Sequence, residues 1–212
     1  MREEAASSKR GYDLRKRLEN MDQTRLAVLQ SARRQLETEG YRKLTMSSLA
    51  AESGVTRQTI HNLFGSKGGV LEALFDSIAL DGGMERMREV MHQSDPHAML
   101  KAFVEVFCRF WETNRALFRR IHGIGAIDSD LGEILRARNE RRHGIATRIA
   151  RNWKKGREAS VAAAALTALT SFEFYDALAS SEQTTTDIEG LIVKLAVAAL
   201  DTTDSSHLSR LR

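Results

Sequence analysis

Residues 40–74 read GYRKLTMSSLAAESGVTRQTIHNLFGSKGGVLEAL. Thr45 stands where a hydroxyl caps a short helix running to about Ser53, with Leu49 and Ala50 facing inward. Gly54-Val55 turns the chain, and Gly54 supplies the positive φ such a turn needs. Thr56 caps the next helix, which Phe64 closes. Ser66 caps a further one, whose Val70, Leu71, Leu74, Phe75 and Ile78 recur at helical intervals. Two capped helices of about seven or eight residues across a Gly-Val turn have helix-turn-helix spacing. Leu49, Val55 and Ile60 suit the small core between them, and Ala50 is small where the helices cross.

Working outward, Gly40 is a left-handed stop for a helix that begins near Asp22, a plausible N-cap, and carries Leu26, Leu29, Ala32, Arg33 and Leu36 at helical spacing. Residues 1–20 contain Arg2, Lys9, Arg10, Arg15, Lys16 and Arg17 among few apolar side chains, and read as a flexible basic tail. Downstream, Gly82-Gly83 either ends or bends the fourth helix. Asp95-Pro96 restarts helix, with Asp95 as N-cap and proline at the first helical position. Helices are expected near 96–113, 115–125, 130–155, 158–181 and 186–202, and residues 206–212 read as a frayed end. Pro96 is the single proline, and strand-like alternation is missing. The expected fold is all-α: a three-helix helix-turn-helix domain over 21–68, then a helical bundle over 69–205.

Composition narrows the function. Of the 212 residues 42% are hydrophobic and 28% charged, ordinary for a globular protein. The net charge of +4 is mild evidence for an anionic partner. It is sharper between Arg42 and Lys67, where Arg42, Lys43, Arg57 and Lys67 face one acid, Glu52. Cys108 is the only cysteine, so neither an intrachain disulfide nor a cysteine-based zinc site can form. The N-terminus lacks the apolar run of a signal peptide, and no apolar run reaches the roughly 18 residues of a membrane span, so a cytoplasmic protein without membrane contact is expected. His92 and His97 have no third ligand, and there is neither a glycine-rich phosphate loop nor a nucleophile with an evident base. No metal, cofactor or enzymatic activity is expected.

The motif resembles the TetR-type regulators in its run of Thr45, Leu49, Ala50, Ser53, Gly54, Val55, Thr56, Thr59, Ile60, Phe64, Lys67 and Leu71. Gln58 stands where that pattern has glycine, and His61 and Leu63 where it has tyrosines, so Leu63 lacks the hydroxyl that reaches a phosphate there. The resemblance implies a homodimeric DNA-binding repressor on a palindromic operator, controlled by a small-molecule effector in the C-terminal domain. By the same resemblance Thr45, Thr59, His61 and Lys67 face phosphates, Arg57 and Gln58 face base edges, and Ser47 and Asn62 are possible additions. A helical protein-interaction module without DNA binding is the alternative.

Behind the motif the readings stay open. Phe103, Phe107, Phe110, Trp111 and Phe118 form an aromatic run that suits plain core or the wall of a ligand site, to which His122 and Tyr175 would add hydrogen bonds. The charged run Arg136–Arg142 reads as a solvated helix face. Ala162–Ala165, Ala168, Leu169 and Phe172 mark one small-residue helix, and Leu191, Ile192, Leu195, Ala196 and Ala199 another. These last two long helices suit a four-helix dimer interface or intrachain core.

Overall fold

A computed structural model describes residues 2–126, 128–180 and 184–201, with side chains from residue 19 onward. Among these residues every regular element is helical. The first unit, residues 1–76, holds α1 (Arg2–Thr38), α2 (Met46–Ser53), α3 (Arg57–Phe64) and most of α4 (Lys67–Asp81). The unit boundary thus falls inside α4, later than the expected 68/69.

α1 is helical from Arg2, where a flexible tail was expected, and Asp22 is an interior residue rather than its cap. Glu, Ala, Arg, Lys and Leu dominate that stretch and all propagate a helix once one has formed. Its buried face carries Val28, Leu29, Ala32, Gln35 and Leu36, whereas Leu26 points to solvent. Tyr41, Leu44, Leu49, Ile60, Val70, Leu71 and Leu74 complete the core of this unit.

Thr45 and Ser48 form a reciprocal capping box: the Ser48 amide donates to Thr45 Oγ1 at 3.0 Å and the Thr45 amide to Ser48 Oγ at 2.9 Å. Gly54 ends α2 at φ +72°, a conformation that costs a residue with a Cβ more than it costs glycine. The Thr59 amide donates to Thr56 Oγ1 and the Gly69 amide to Ser66 Oγ, so the caps read from the sequence start α3 and α4.

The second unit, residues 77–212, continues through a 3-10 turn (Met84–Arg86), α5 (Met87–Val90), α6 (Pro96–Gly125), α7 (Ser129–Ala150), α8 (Gly156–Leu169), α9 (Phe172–Ala179) and α10 (Thr185–Asp201). Gly82-Gly83 ends α4 rather than bending it, with Gly83 at φ +81°. Asp95 caps α6 through the amides of His97 and Ala98. The two helices expected over 96–125 are one, kinked at Asn114 (φ −119°, ψ 15°), whose side-chain amide donates to the Phe110 carbonyl. The single helix expected over 158–181 is two, because Thr170 leaves helical geometry and Ser171 caps a new start at the Phe174 amide. α7 likewise stops at Ala150, short of 155. α6 packs against α5, α7, α9 and α10, α7 lies along α8, and α8 lies beside α10. No described helix is long and apolar enough to cross a membrane. The expected frayed end, 206–212, lies outside the described residues.

Candidate functional site

Steps of four residues return to the same side of a helix, so Arg57 with His61 and Gln58 with Asn62 form two neighbouring rows on α3. All four are exposed, while Ile60 is fully buried on the opposite side and Leu63 and Phe64 are half-buried. Gln58 Nε2 donates to Asn62 Oδ1 at 2.9 Å, which aligns the two amides along the helix. No acid stands on this face. The α3 N-terminus adds main-chain N–H groups in the first turn, a favourable setting for anionic oxygens.

Three of the other residues expected at the surface, Thr45, Thr59 and Lys67, are already engaged within the chain. Thr45 Oγ1 belongs to the capping box, and Thr59 Oγ1 lies 2.8 Å from Thr56 Oγ1. Ser47 is exposed on α2. Lys67 is half-buried; its ammonium donates to the Tyr41 carbonyl at 3.2 Å and sits 3.4 Å from the centroid of the Tyr41 ring. It is therefore a tether as well as a charge, which its position in the motif does not reveal.

What seats α2 against α1 is a polar chain that the sequence reading missed. Buried Gln35 donates to Glu52 Oε2 at 2.6 Å and accepts from Ser48 Oγ at 2.8 Å, and Arg34 Nε donates to Glu52 Oε1 at 2.7 Å. The Arg34 and Gln35 bonds hold the Glu52 carboxyl below the usual carboxylate range. The one acid between Arg42 and Lys67 is thus charged and paired, leaving the local excess positive. Gln35 could have been found as a polar residue on the apolar stripe of α1.

In the second unit the aromatic run of α6 is core. Phe103, Phe107, Phe110, Trp111 and Phe118 are all buried, with ring centroids 4.7 Å apart for Phe110–Trp111 and 4.9 Å for Trp111–Phe118. Phe172 of α9 closes the belt, 5.5 Å from Trp111 and 4.9 Å from His122. His122 Nδ1 pairs with Glu173 Oε1 at 2.6 Å, and that bond is the main reason the Glu173 carboxyl is pulled down to about 2. Tyr175 is fully buried, and its hydroxyl donates to Glu112. Burial, reinforced by Glu189 and Glu105, pushes the Cys108 thiol up to about 12.

Arg142 corrects the reading of 136–142 as a solvated face: it is 6% exposed. It belongs to the inward stripe Leu131, Leu135, Arg138, Arg142, Ala146 and Ile149, a spacing visible in the sequence but masked by the surrounding charge. Its Nη1 donates to the Thr170 carbonyl at 2.7 Å, an oxygen that also accepts from Trp111 Nε1 at 2.9 Å. Burial lowers the guanidinium to about 10, opposed in part by the charge of Glu173.

The small-residue helices α8 and α10 divide by face. Ala162, Ala163, Ile192 and Ala196 are buried within the chain, whereas Val161, Ala164, Ala168, Leu191 and Leu195 are exposed. Val161 is 54% exposed and Leu191 42%, an apolar surface spread over α8 and α10.

Residues 28–74 match the family model for bacterial regulatory proteins of the tetR family. Over 100 residues the chain is 30% identical to the HTH-type transcriptional regulator EthR of Mycolicibacterium smegmatis; the match spans 46% of each chain, so less than half of that relative's length is covered. In fold it is similar to a TetR-family regulator from Syntrophomonas wolfei (TM-score 0.67, 16% identity, 84% of this chain and 95% of that one). It is also similar to SmeT solved with triclosan (TM-score 0.66, 19% identity, 83% and 90% covered). The head thus matches the tetR family by sequence over residues 28–74, and the chain shares the fold of solved TetR-family proteins over most of its length.

Proposed function

We propose that the protein is a transcriptional repressor that binds a palindromic DNA operator as a homodimer and is controlled by a small-molecule effector in its C-terminal unit. The observation that carries this reading is the exposed, acid-free face of α3, Arg57, Gln58, His61 and Asn62, at a capped helix start within a tetR-family head. Arg57 reads guanine, and the Gln58–Asn62 pair offers an amide for an adjacent base. His61, Ser47 and the helix N-termini hold phosphates, with Thr45, Thr59 and Lys67 acting mainly by fixing those helices. The effector reading draws on the aromatic belt and on the likeness in fold to SmeT, solved as a triclosan complex. Such control needs a ligand that binds one state better than the other.

Selection from random duplex DNA, followed by anisotropy at two salt concentrations, tests the reading. A two-fold motif and a steep salt dependence are expected. Absence of DNA binding even at low salt overturns it. For the dimer, Leu191→Glu with Leu195→Glu places charge on the exposed face of α10 without touching the intrachain core. Sedimentation should then show monomer where the parent shows dimer; an unchanged dimer would move the interface elsewhere.

A further inference from the structure

Two donors converge on the Thr170 carbonyl at the break between α8 and α9, one from Trp111 and one from Arg142. The indole N–H alone would keep that oxygen from being orphaned. Among the described residues Arg142 is the one charged side chain that is buried, and Thr170 is the only hydrogen-bond acceptor it meets there. Its Nε is buried with no hydrogen-bond partner. Among the described residues no carboxylate forms an ion pair with it: Glu173, the acid whose charge acts on it, is held by His122. Burying a cation without a counter-charge is costly, so a folded chain that keeps one carries a cost that its own contacts do not offset.

The geometry of the unused side is informative. With Nη1 committed to Thr170, the remaining Nε–Nη2 edge is the fork that matches the two oxygens of a carboxylate. The Cζ of Arg142 lies 5.8 Å from the Phe107 ring centroid and 6.0 Å from that of Trp111, so two buried aromatic rings adjoin the charge. A single buried positive charge is balanced by a singly charged anion, which favours a carboxylate over a phosphate.

We propose that Arg142 is the anion-recognising residue of the effector site, and that the effector is a small carboxylic acid with an apolar body. Its carboxylate takes the Nε–Nη2 edge of Arg142, and its body lies against Phe107 and Trp111. This rests on the reading of the chain as an effector-controlled regulator and specifies the class of effector.

The test uses the full chain, with naphthalene-2-carboxylate, 3-phenylpropionate and decanoate, each beside its uncharged primary amide, and inorganic phosphate as a free anion. Thermal unfolding should show a carboxylate raising the melting temperature where its amide does not. By titration calorimetry the preference should be at least about thirtyfold, the cost of withdrawing one partner from a buried charge pair. Arg142→Met should lose that preference and, without ligand, melt no lower than the parent, because it removes an uncompensated charge. Arg142→Lys, which keeps charge but not the fork, should bind carboxylates more weakly; it decides the point if Arg142→Met does not fold. The proposal is overturned if no carboxylate stabilises the parent, if acids and amides bind alike, if phosphate alone matches the carboxylates, or if Arg142→Met melts lower and keeps the preference. DNA binding by the ligand-free parent is scored separately, so failure of the regulator reading and failure of the anion site are told apart.

Discussion

Along α3 the polar side chains stand in solvent, and their bonds are local: Thr56 to Thr59 and Gln58 to Asn62 lie three and four residues apart. In the C-terminal unit Asn114, Arg142 and Thr170 are buried, and the bonds that matter reach far: Trp111 to Thr170 spans 59 residues and Arg115 to Asp176 spans 61. A surface built from local bonds can exchange one base-reading side chain for another at small structural cost. Buried groups tied across helices are harder to exchange, since a removal withdraws a hydrogen bond from a distant segment; the Thr170 carbonyl, with its two donors, is the exception that lets Arg142 be replaced.

The largest expected effect lies in the buried region. Trp111→Ala should cost about 3–5 kcal/mol of stability, through lost packing and the loss of one donor to the Thr170 carbonyl. Urea unfolding measures it; a loss below about 1 kcal/mol would mean that the belt yields as readily as a surface. Arg57→Ala should leave unfolding unchanged yet remove about 1–3 kcal/mol of discrimination at one base pair per half-site. A panel of single-base operator variants checks this, and an even loss across the panel would make Arg57 a phosphate clamp.

Lys67→Ala blurs the contrast, because this head residue is tied to Tyr41 by a hydrogen bond to its carbonyl and by an ammonium–ring contact. It should lower stability by about 0.5–2 kcal/mol and weaken all DNA sequences alike. Stability equal to the parent's would return Lys67 to a purely DNA-facing role. The smallest effect is acid-dependent. The Glu173 carboxyl is depressed from 4.5 to about 2, so its contribution is complete above its ordinary range and fades as pH falls towards the folded value. Melting curves of the parent and of Glu173→Gln should therefore differ at neutral pH and converge near pH 2. The gap should be modest, since the Glu173 side chain is 65% exposed.

The same distinction explains what the sequence disclosed. Caps at Thr45, Thr56, Ser66 and Asp95 were legible because each acts on an amide two or three residues away. The site at Asn114 was legible as a boundary, although the helix passes through it with a kink. The division at Thr170 was not, because the carbonyl released there is held by residues 28 and 59 positions distant. Arg142 was misread for a related reason: its neighbours Arg136 and Arg141 are exposed, and only the stripe from Leu131 to Ile149 gives it away. Ala196 looked like an interface residue by composition, but a small side chain is equally suited to the intrachain contact it makes. Lys67 showed its charge but not its tether, since Tyr41 lies 26 residues upstream.

Gly82 and Gly83 look like one repeated letter, yet a saturation library should treat them as two different filters. At 83 the demand is on the main chain, φ +81° with no more than an ordinary contact to Arg109 Nε at 3.8 Å about the side-chain position, so asparagine and aspartate should be the best-tolerated replacements. At 82 the demand is on volume: a Cβ would stand 2.4 Å from Phe110 Cδ2, and that ring is wedged against Trp111 and Phe118. There asparagine should fare no better than alanine, and a replacement should survive only beside a smaller residue at 110. Adjacent identical residues would then leave separate signatures in the library, one a preference among side chains at a single position, the other a covariation between two.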